Sequence, residues 1–223
     1  MTVTRYPLAS PRELDSWVAE GPARIRAGEH GVILSGDSEA DIDEGHWTLW
    51  CPDIFGDRIL VEWEFRPLRE PGLAMLFVAA EGHSGDLFGS DQAPRDGRYP
   101  QYHSGDIDAL HVSYFRHKRE EERAFRTCNL RKSAGFHLVA QGADPLPPAD
   151  DARGFYRMAL RKDGAAVEFS INDLCLFRWV DNGSVGGPAR TGGRIGIRHM
   201  APLVAEYRNL CITELEEGER RHG

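Results

Sequence analysis

Alternating apolar and polar side chains, interrupted by tight turns, constrain this chain more than any other feature. The clearest case is residues 156–179, YRMALRKDGAAVEFSINDLCLFRW. Lys162-Asp163-Gly164 predicts one tight turn and Asn172-Asp173 a second, so the segment forms three consecutive antiparallel strands. Because a sheet has to bury its apolar face against another layer, such a unit favours a sandwich or a barrel.

The same period of two recurs through most of the sequence. In residues 58–65, the side chains of Ile59, Val61, Trp63 and Phe65 share one strand face. Further strands are predicted at residues 31–36, 46–50, 72–80, 109–117, 193–198 and 206–215. One helix is predicted, from a cap at Ser10 to about Glu20, because Pro11 and Glu13 suit its first turn.

Many strands with a single helix predict an all-β fold, a two-sheet antiparallel jelly-roll sandwich. We expect one domain over residues 1–223, with residues 1–22 as an N-terminal extension and residues 216–223 as a frayed tail. The two long loops, residues 81–100 and 141–154, are expected at the rim of the sandwich.

The bulk composition narrows the classes of partner. The chain has 223 residues and a net charge of −8, which disfavours nucleic acid and anionic membranes. The sequence contains no signal peptide and no membrane span, so we expect a cytoplasmic protein. Four widely spaced cysteines predict free thiols, and no metal or cofactor is expected. A calcium ion at the aspartates of residues 86–96 and a homodimer through sheet edges both stay open.

The segment QYHSGDIDALHVSYFRH, residues 101–117, is rich in groups that bond or move protons. Its strand alternation puts His111, Ser113 and Phe115 on one face, opposite an apolar face that contains Tyr114. A row both polar and aromatic is typical of a sheet face that lines a sugar-sized groove. We therefore expect these three side chains to project into an open groove, although a single surface histidine usually has no such role.

Proton transfer in that groove is assigned first to His111, because imidazole titrates near working pH. His103 is the second candidate, oriented by a hydrogen bond that its imidazole donates to Asp106 in the turn before the strand. Further candidates are side chains that can bind a carboxylate or hydroxyl groups or stack on a sugar ring. These are Arg198, His199, Arg131, Asn129, His137, Ser113, Tyr102, Tyr114 and Trp50.

Two of these assignments have explicit alternatives. Trp47 and Trp50 are three residues apart, so only one can face a groove, and we choose Trp50. Glu62 and Glu64 share a strand face and resemble the acid pair of a glycosidase. The third acid of the Glu-x-Asp-x-x-Glu strand of sandwich glucanases is missing here, which favours a solvent-facing pair on the convex sheet.

Several long segments resemble the bacterial YesU-like family. They include WCPDIF, VEWEFRPLREPGLAMLF, YHSGDIDALHVSYFR, RAFRTCNLRKSAGFHLVAQGADP and GIRHMAPLVAEY, and together they span residues 45–215. The resemblance implies membership of the concanavalin A-like lectin/glucanase superfamily and a two-sheet jelly roll. It also implies a setting among bacterial systems that import and dismantle plant polysaccharides, notably rhamnogalacturonan. It implies no catalytic mechanism, since that superfamily contains glycosidases, lyases and lectins.

The leading hypothesis is an intracellular carbohydrate-active enzyme, a glycoside hydrolase or a lyase. It would cleave imported oligosaccharides that derive from plant polysaccharides or contain uronic acid or a modified sugar. The alternative is a non-catalytic lectin-like module that uses the same groove. The density of histidines favours catalysis, because a lectin needs no titrating groups.

Overall fold

The three predicted strands that are separated by the turns at Gly164 and Asn172 lie at one edge of a large antiparallel sheet. The computed structural model describes residues 2–37 and 45–216, and the predicted frayed tail falls outside these ranges except for Glu216. The sheet has eight strands. They are β1 (Val3–Tyr6), β3 (Arg24–Ala27), β4 (Val32–Ser35), β6 (Arg58–Arg69), β11 (Tyr156–Asp163), β12 (Ala166–Ile171), β13 (Leu174–Val180) and β15 (Val204–Glu214).

A seven-stranded antiparallel sheet packs against the first one and completes the predicted sandwich. Its strands are β2 (Val18–Glu20), β5 (Trp47–Phe55), β7 (Leu73–Gly82), β8 (Ile107–Tyr114), β9 (Thr127–Ser133), β10 (His137–Ala143) and β14 (Gly193–Met200). They lie in the order β10-β9-β8-β7-β14-β5-β2. The jelly-roll prediction is thus confirmed.

The main core fills the space between the sheets. Apolar residues from both inner faces meet there, among them Trp47, Val61, Phe65 and Leu110, all 1% exposed or less. A second apolar cluster lies on the outer face of the seven-stranded sheet and includes Trp50, Phe77 and Tyr102. A sheet that buries both faces has a second layer above it, and here that layer is a long loop.

The loop above the outer face is residues 83–106, which we call the covering segment. It contains one turn of helix, α1 (Pro100–His103), and a second short helix, α2 (Glu120–Ala124), follows β8. The other long loop, after β10, contains a short 3₁₀ turn, Ala149–Asp151. The covering segment therefore lies over the sheet rather than at the rim alone.

The N-terminal helix is much shorter than predicted. The capping box of Ser10 and Glu13 is present, but it starts only a 3₁₀ turn over Pro11–Leu14. Trp17 then enters the core, and Val18–Glu20 pairs with β5 as β2. One turn gains little from intrahelical bonds, so the sheet hydrogen bonds and the buried indole ring outweigh helix propagation.

Candidate functional site

The pairing register between neighbouring strands places the outer-face side chains of the seven-stranded sheet in rows that cross the strands. Directly opposed residues share a face, so each row is continuous from strand to strand. The first row contains Trp50, Gly196, Phe77, His111 and Arg131. The second row contains Thr48, Arg198, Met75, Ser113, Asn129 and Gln141.

The covering segment closes the end of both rows that lies over β5 and β14. Arg95 Nε donates to Glu20 Oε1 at 2.9 Å, and Arg198 Nη2 donates to the Gly97 carbonyl at 2.8 Å. Gly97 lies so close to β5 that a Cβ atom there would stand 2.0 Å from the His46 carbonyl oxygen. These contacts fasten the segment, and only glycine fits at that point of closest approach.

The other end of the rows, over β8 and β9, is open and forms a cavity of about 410 Å³. Its floor includes Met75, Ser113 and Asn129, and two aromatic rings, Tyr99 and Phe136, form one wall. The opposite wall is the segment around α2. The remaining lining residues are Leu73, Arg116, Lys118, Arg119, Glu121, Glu122, Arg131 and Met200.

Positive side chains outnumber negative ones around the cavity. The lining includes three arginines and Lys118 but only two carboxylates, although the chain as a whole carries a net charge of −8. Arg116 pairs with Glu122 at 2.7 Å. The Arg131 guanidinium lies over the Phe136 ring at 3.8 Å, and burial lowers its pKa. The cavity therefore favours an anionic ligand.

A tyrosine–histidine pair stands at the wall of the cavity. Tyr99 Oη and His111 Nε2 are 3.1 Å apart, and His111 is fully buried behind the tyrosine. Burial, with Arg131 and Arg198 nearby, lowers the pKa of His111 to about 3, so its imidazole is neutral. Burial also raises the pKa of Tyr99 to about 12, against the opposing effect of Arg198 and Arg131. Only the phenol of this pair reaches the cavity.

The tautomer of His111 follows from its other ring nitrogen. Nδ1 of His111 has no hydrogen-bond partner within the described part of the chain. An orphaned N–H group is rarer in protein interiors than an under-used acceptor, so we place the proton on Nε2. His111 then donates to the Tyr99 oxygen, which leaves the Tyr99 O–H free to point into the cavity.

The predicted hydrogen bond between His103 and Asp106 is not formed. The short helix α1 turns His103 away, so that Nδ1 bonds Ser104 Oγ at 2.6 Å and the ring packs on Phe136 at 4.2 Å. Asp106 instead accepts from the Ala93 N–H at 2.7 Å and faces Arg95 at 3.5 Å. Asp106 therefore stabilises the covering segment, and His103 stands next to both aromatic wall residues.

Three predicted contact residues lie on the outer side of the seven-stranded sheet but are buried. The Trp50 indole N–H donates to Glu20 Oε2 at 2.8 Å beneath the covering segment. Arg198 is fully buried, donates to Thr48 Oγ1 at 2.9 Å and lies under the Tyr102 ring at 4.4 Å. Trp50 and Arg198 do not line the cavity, because residues 83–106 fill the space above them, and Tyr102 is itself a buried part of that segment.

Four other predicted side chains point elsewhere. Tyr114 lies in the inter-sheet core, as does His199, whose Nε2 bonds Tyr207 Oη at 2.6 Å. Phe115 also packs in the core, because its φ of +46° ends β8 and breaks the alternation. His137 lies opposite Lys132 in the register, next to Gly186, and does not line the cavity. The expected open row of His111, Ser113 and Phe115 is thus reduced to Ser113.

The cavity does bring together three predicted residues, Ser113, Asn129 and Arg131, with His111 directly behind the wall. Sequence patterns missed Tyr99, Phe136 and Arg116. Strict alternation would put Arg116 on the core face with Tyr114, but the turn at Phe115 returns it to the outer side. Tyr99 and Phe136 lie in irregular segments, where strand periodicity carries no information.

Two other depressions are weaker candidates for a sugar site. Glu62 and Glu64 line one of about 130 Å³ on the outer face of the eight-stranded sheet. Burial opposes ionisation of Glu64, but hydrogen bonds from Asn209 and Arg208 outweigh it and lower its pKa, so Glu64 is no proton donor. A depression of about 520 Å³ at the edge of β3 and β4 has no aromatic ring among its described lining residues.

Three further features of the described residues concern metal ligands, cysteines and helices. Within residues 2–37 and 45–216, no cluster of histidine, cysteine, aspartate and glutamate has the arrangement of a metal site. The four cysteines are free thiols, as predicted. No helix in the same ranges has the length and apolar character needed to cross a membrane.

Three solved structures share this fold. A protein of unknown function with a galectin-like fold from Bacillus subtilis is 52% identical, with a TM-score of 0.89 over 95% of this chain and 94% of that one. The Crh5 transglycosylase bound to NAG superposes with a TM-score of 0.64 at 10% identity, over 97% and 85% of the two chains. The carbohydrate-binding module CBM66 from Bacillus subtilis gives 0.54 at 10% identity, over 88% and 95%.

The sequence comparisons agree with the expected resemblance. Uncharacterized protein YesU of Bacillus subtilis (strain 168) is 53% identical over 211 residues, which is 94% of each chain. Residues 2–212 match the family described as Domain of unknown function (DUF1961). This match covers nearly the whole sequence and agrees with the fold. The chain therefore belongs to the DUF1961 family.

Proposed function

We propose that this protein is a carbohydrate-active enzyme that binds an acidic oligosaccharide in the cavity and cleaves it by proton transfer from Tyr99. The observation that carries the proposal is the position of the Tyr99 phenol between a neutral, buried His111 and the Arg131 guanidinium. The transglycosylase and the binding module that share the fold agree with a carbohydrate ligand, although their likeness to this chain extends to the fold alone.

The residues around the cavity suit a uronic acid. Arg131 and Arg116 can hold the carboxylate, since guanidinium groups match it in charge and shape. Ser113 and Asn129 on the floor can bond sugar hydroxyls, and the rings of Tyr99 and Phe136 offer apolar faces to a pyranose. Every class of contact that such a sugar requires is therefore present in one cavity.

The chemistry that these groups support best is β-elimination. A base removes the proton on the carbon next to the carboxylate, the electron pair forms a C=C bond, and the bond from the β carbon to the glycosidic oxygen breaks. Tyr99, which stays protonated because burial raises its pKa, gives its proton to the departing oxygen. Guanidinium groups stabilise the charge that develops on the carboxylate.

His103, which packs against both aromatic wall residues but does not itself line the cavity, is our choice for the base. Its ring lies 4.7 Å from that of Tyr99, and burial together with Arg198 and Arg131 lowers its pKa, so the imidazole is neutral and able to accept a proton. His111 then acts as a positioning residue for Tyr99 rather than as the proton carrier that the sequence suggested, because it is buried behind the phenol.

Hydrolysis is less well supported by the same cavity. Glycosidases use two carboxyl groups, one of them protonated. Glu122 accepts hydrogen bonds from Arg116 and from the Arg119 N–H, so both of its oxygens are already engaged. This observation favours elimination over hydrolysis for a uronate substrate.

The test is incubation of the protein with a panel of pectin-derived and other acidic oligosaccharides. We expect ultraviolet absorbance from an unsaturated uronate and products whose masses sum to that of the substrate, with no water added. His111→Ala should lower turnover, by less than loss of the Tyr99 hydroxyl does, and leave the fold intact, while Glu64→Gln on the other sheet is the control. New reducing ends without absorbance would replace elimination by hydrolysis.

A non-catalytic sugar-binding module is the second candidate. It is favoured by the contact groups themselves, because Arg131, Asn129 and Phe136 would bind a sugar without any proton transfer. Calorimetry that shows binding, together with intact ligand after long incubation, would establish this alternative and remove the mechanism at Tyr99.

A further inference from the structure

The covering segment is fixed in place and does not resemble a mobile lid. Arg95, whose side chain is 3% exposed, pairs with Glu20 at 2.8 Å and donates to the Leu87 carbonyl at 2.7 Å. Arg198 bonds the Gly97 carbonyl from below, and Asp106 accepts from Ala93 at the other end of the segment. Buried ion pairs of this kind are costly to break, so the segment stays seated on the sheet.

This fixed segment lies across the rows of outer-face residues. Both rows run from β5 to β9, and their first halves, which include Trp50, Phe77 and Arg198, have no measurable exposure. A sugar chain that lay over Ser113 and Asn129 and continued along a row toward β14 would meet the wall at Tyr99 and Gly97. The groove is therefore blocked in that direction along both rows. Beyond the rows, Leu73 and Met200 line the cavity at the ends of β7 and β14.

Two further sides of the cavity are closed as well. Phe136 and Tyr99, 5.6 Å apart between ring centroids, close the side over the first row. On the side toward the end of β8, the ion pair of Arg116 with Glu122 holds the segment around α2 in place. The side toward β10, beyond Asn129 and Gln141, has no such wall among the described lining residues.

We infer that the cavity receives one end of an acidic sugar chain rather than its interior. The inference rests on the proposed function and specifies its substrate. A cavity of about 410 Å³ lies at the small end of the range for ligand pockets, and such a volume suits the last one or two sugar units. An enzyme with this cavity shortens oligosaccharides from a terminus, so a depolymerase that cuts internal bonds has to supply its substrates.

The experiment compares wild-type protein on an acidic polysaccharide and on a length series of its oligosaccharides. We expect the smallest product from the earliest time points, no loss of polymer viscosity at low conversion, and no turnover of oligosaccharides blocked at the bound end. Calorimetry on the same series should give an affinity that stops rising after the second sugar unit.

The outcomes separate the two proposals. Early products of mixed length with a sharp fall in viscosity would overturn the chain-end inference and leave the proposed function standing. If the ligands bind without cleavage, an affinity that keeps rising with chain length would also overturn it, whereas a plateau would support it for a binding module. Absence of both binding and cleavage across the series would overturn the proposed function, and the inference with it.

Discussion

The two halves of the outer face of the seven-stranded sheet are continuous in register but differ in what lies above them. Over β5 and β14, Trp50, Thr48 and Arg198 are sealed beneath the covering segment. Over β8 and β9, Ser113 and Asn129 form the floor of an open cavity. Polar side chains occur in both halves, so polarity on a strand does not by itself distinguish a binding surface from a buried network. The presence or absence of a layer above the strand distinguishes the two.

The largest expected effect sharpens this contrast from the open half. Tyr99→Phe removes the proposed proton donor and keeps the ring, so we expect turnover to fall by about 10²- to 10⁴-fold. The melting temperature should fall by only a few degrees, because the buried His111 N–H loses its acceptor. Steady-state kinetics and thermal unfolding measure the two. Tyr156→Phe on the other sheet is the control, and equal losses in both variants would remove Tyr99 from the mechanism.

The covered half is expected to respond in the opposite way. Trp50→Ala deletes a fully buried indole ring that packs on Phe77 at 5.4 Å. Loss of a buried aromatic side chain costs about 3–5 kcal/mol in the free energy of unfolding. Denaturant titration measures that cost. A near-normal stability would mean that the covering segment is loosely held, which would also weaken the chain-end inference.

A smaller effect is expected at the carboxylate contact. Arg131→Ala removes a charge-assisted hydrogen bond worth about 1.5–3 kcal/mol, so affinity for an acidic oligosaccharide should fall about tenfold or more. Calorimetry at two salt concentrations measures the loss, which should shrink as salt screens the charge. Arg178→Ala, an exposed site on β13, is the control. If the unmodified protein bound a neutral sugar of the same size as tightly as the acidic one, the cavity would not recognise a carboxylate.

The smallest expected effect compares a buried histidine beneath the cavity wall with one in the main core. Burial lowers the pKa of both His111 and His199 to about 3. Below pH ~6.5 the unfolded chain binds protons that the folded chain excludes, so the free energy of unfolding falls as the pH falls toward 3. Each histidine contributes a slope of up to about 1.4 kcal/mol per pH unit in this window and none above it.

Denaturant titrations between pH 4 and pH 8 test this linkage. His111→Asn and His199→Asn should each reduce the slope on the acidic side by a similar amount and leave it unchanged above pH ~7. An unaltered slope in one of the variants would mean that the corresponding imidazole is solvated in the folded protein.

The sequence predicted the sandwich well because the alternation of apolar and polar residues within a strand shows which of its faces is buried. The alternation in residues 58–65 and the turns at Gly164 and Asn172 match β6 and β11–β13. The helix after Ser10 was predicted too long, because a local capping signal cannot show that Val18–Glu20 gains a partner in β5. Local patterns fix secondary structure only where no distant strand competes for the same backbone.

The site was harder to predict for the same reason. Strand alternation predicted Ser113, whereas Asn129 and Arg131 were chosen because their side chains can bind hydroxyl groups or a carboxylate. Trp50 and Arg198 were chosen for stacking and binding in the same way, but the sequence did not show that residues 83–106 would cover them. Tyr99 and Phe136 come from loops, whose positions depend on contacts such as that of Arg198 with Gly97. Whether a strand face is covered by another segment or open to solvent depends on tertiary contacts, which the sequence of a single strand does not show.

The lining of the cavity comes from one stretch of chain. Apart from Met200, every lining residue lies between Leu73 and Phe136, and none belongs to the eight-stranded sheet. A stretch of 64 residues near the middle of the polypeptide thus carries the proposed recognition surface, and the rest serves as its scaffold. Ligand preference in relatives of this chain can diverge through exchanges within that stretch while the opposite sheet stays constant, and transplanting the stretch between two relatives should carry the preference with it.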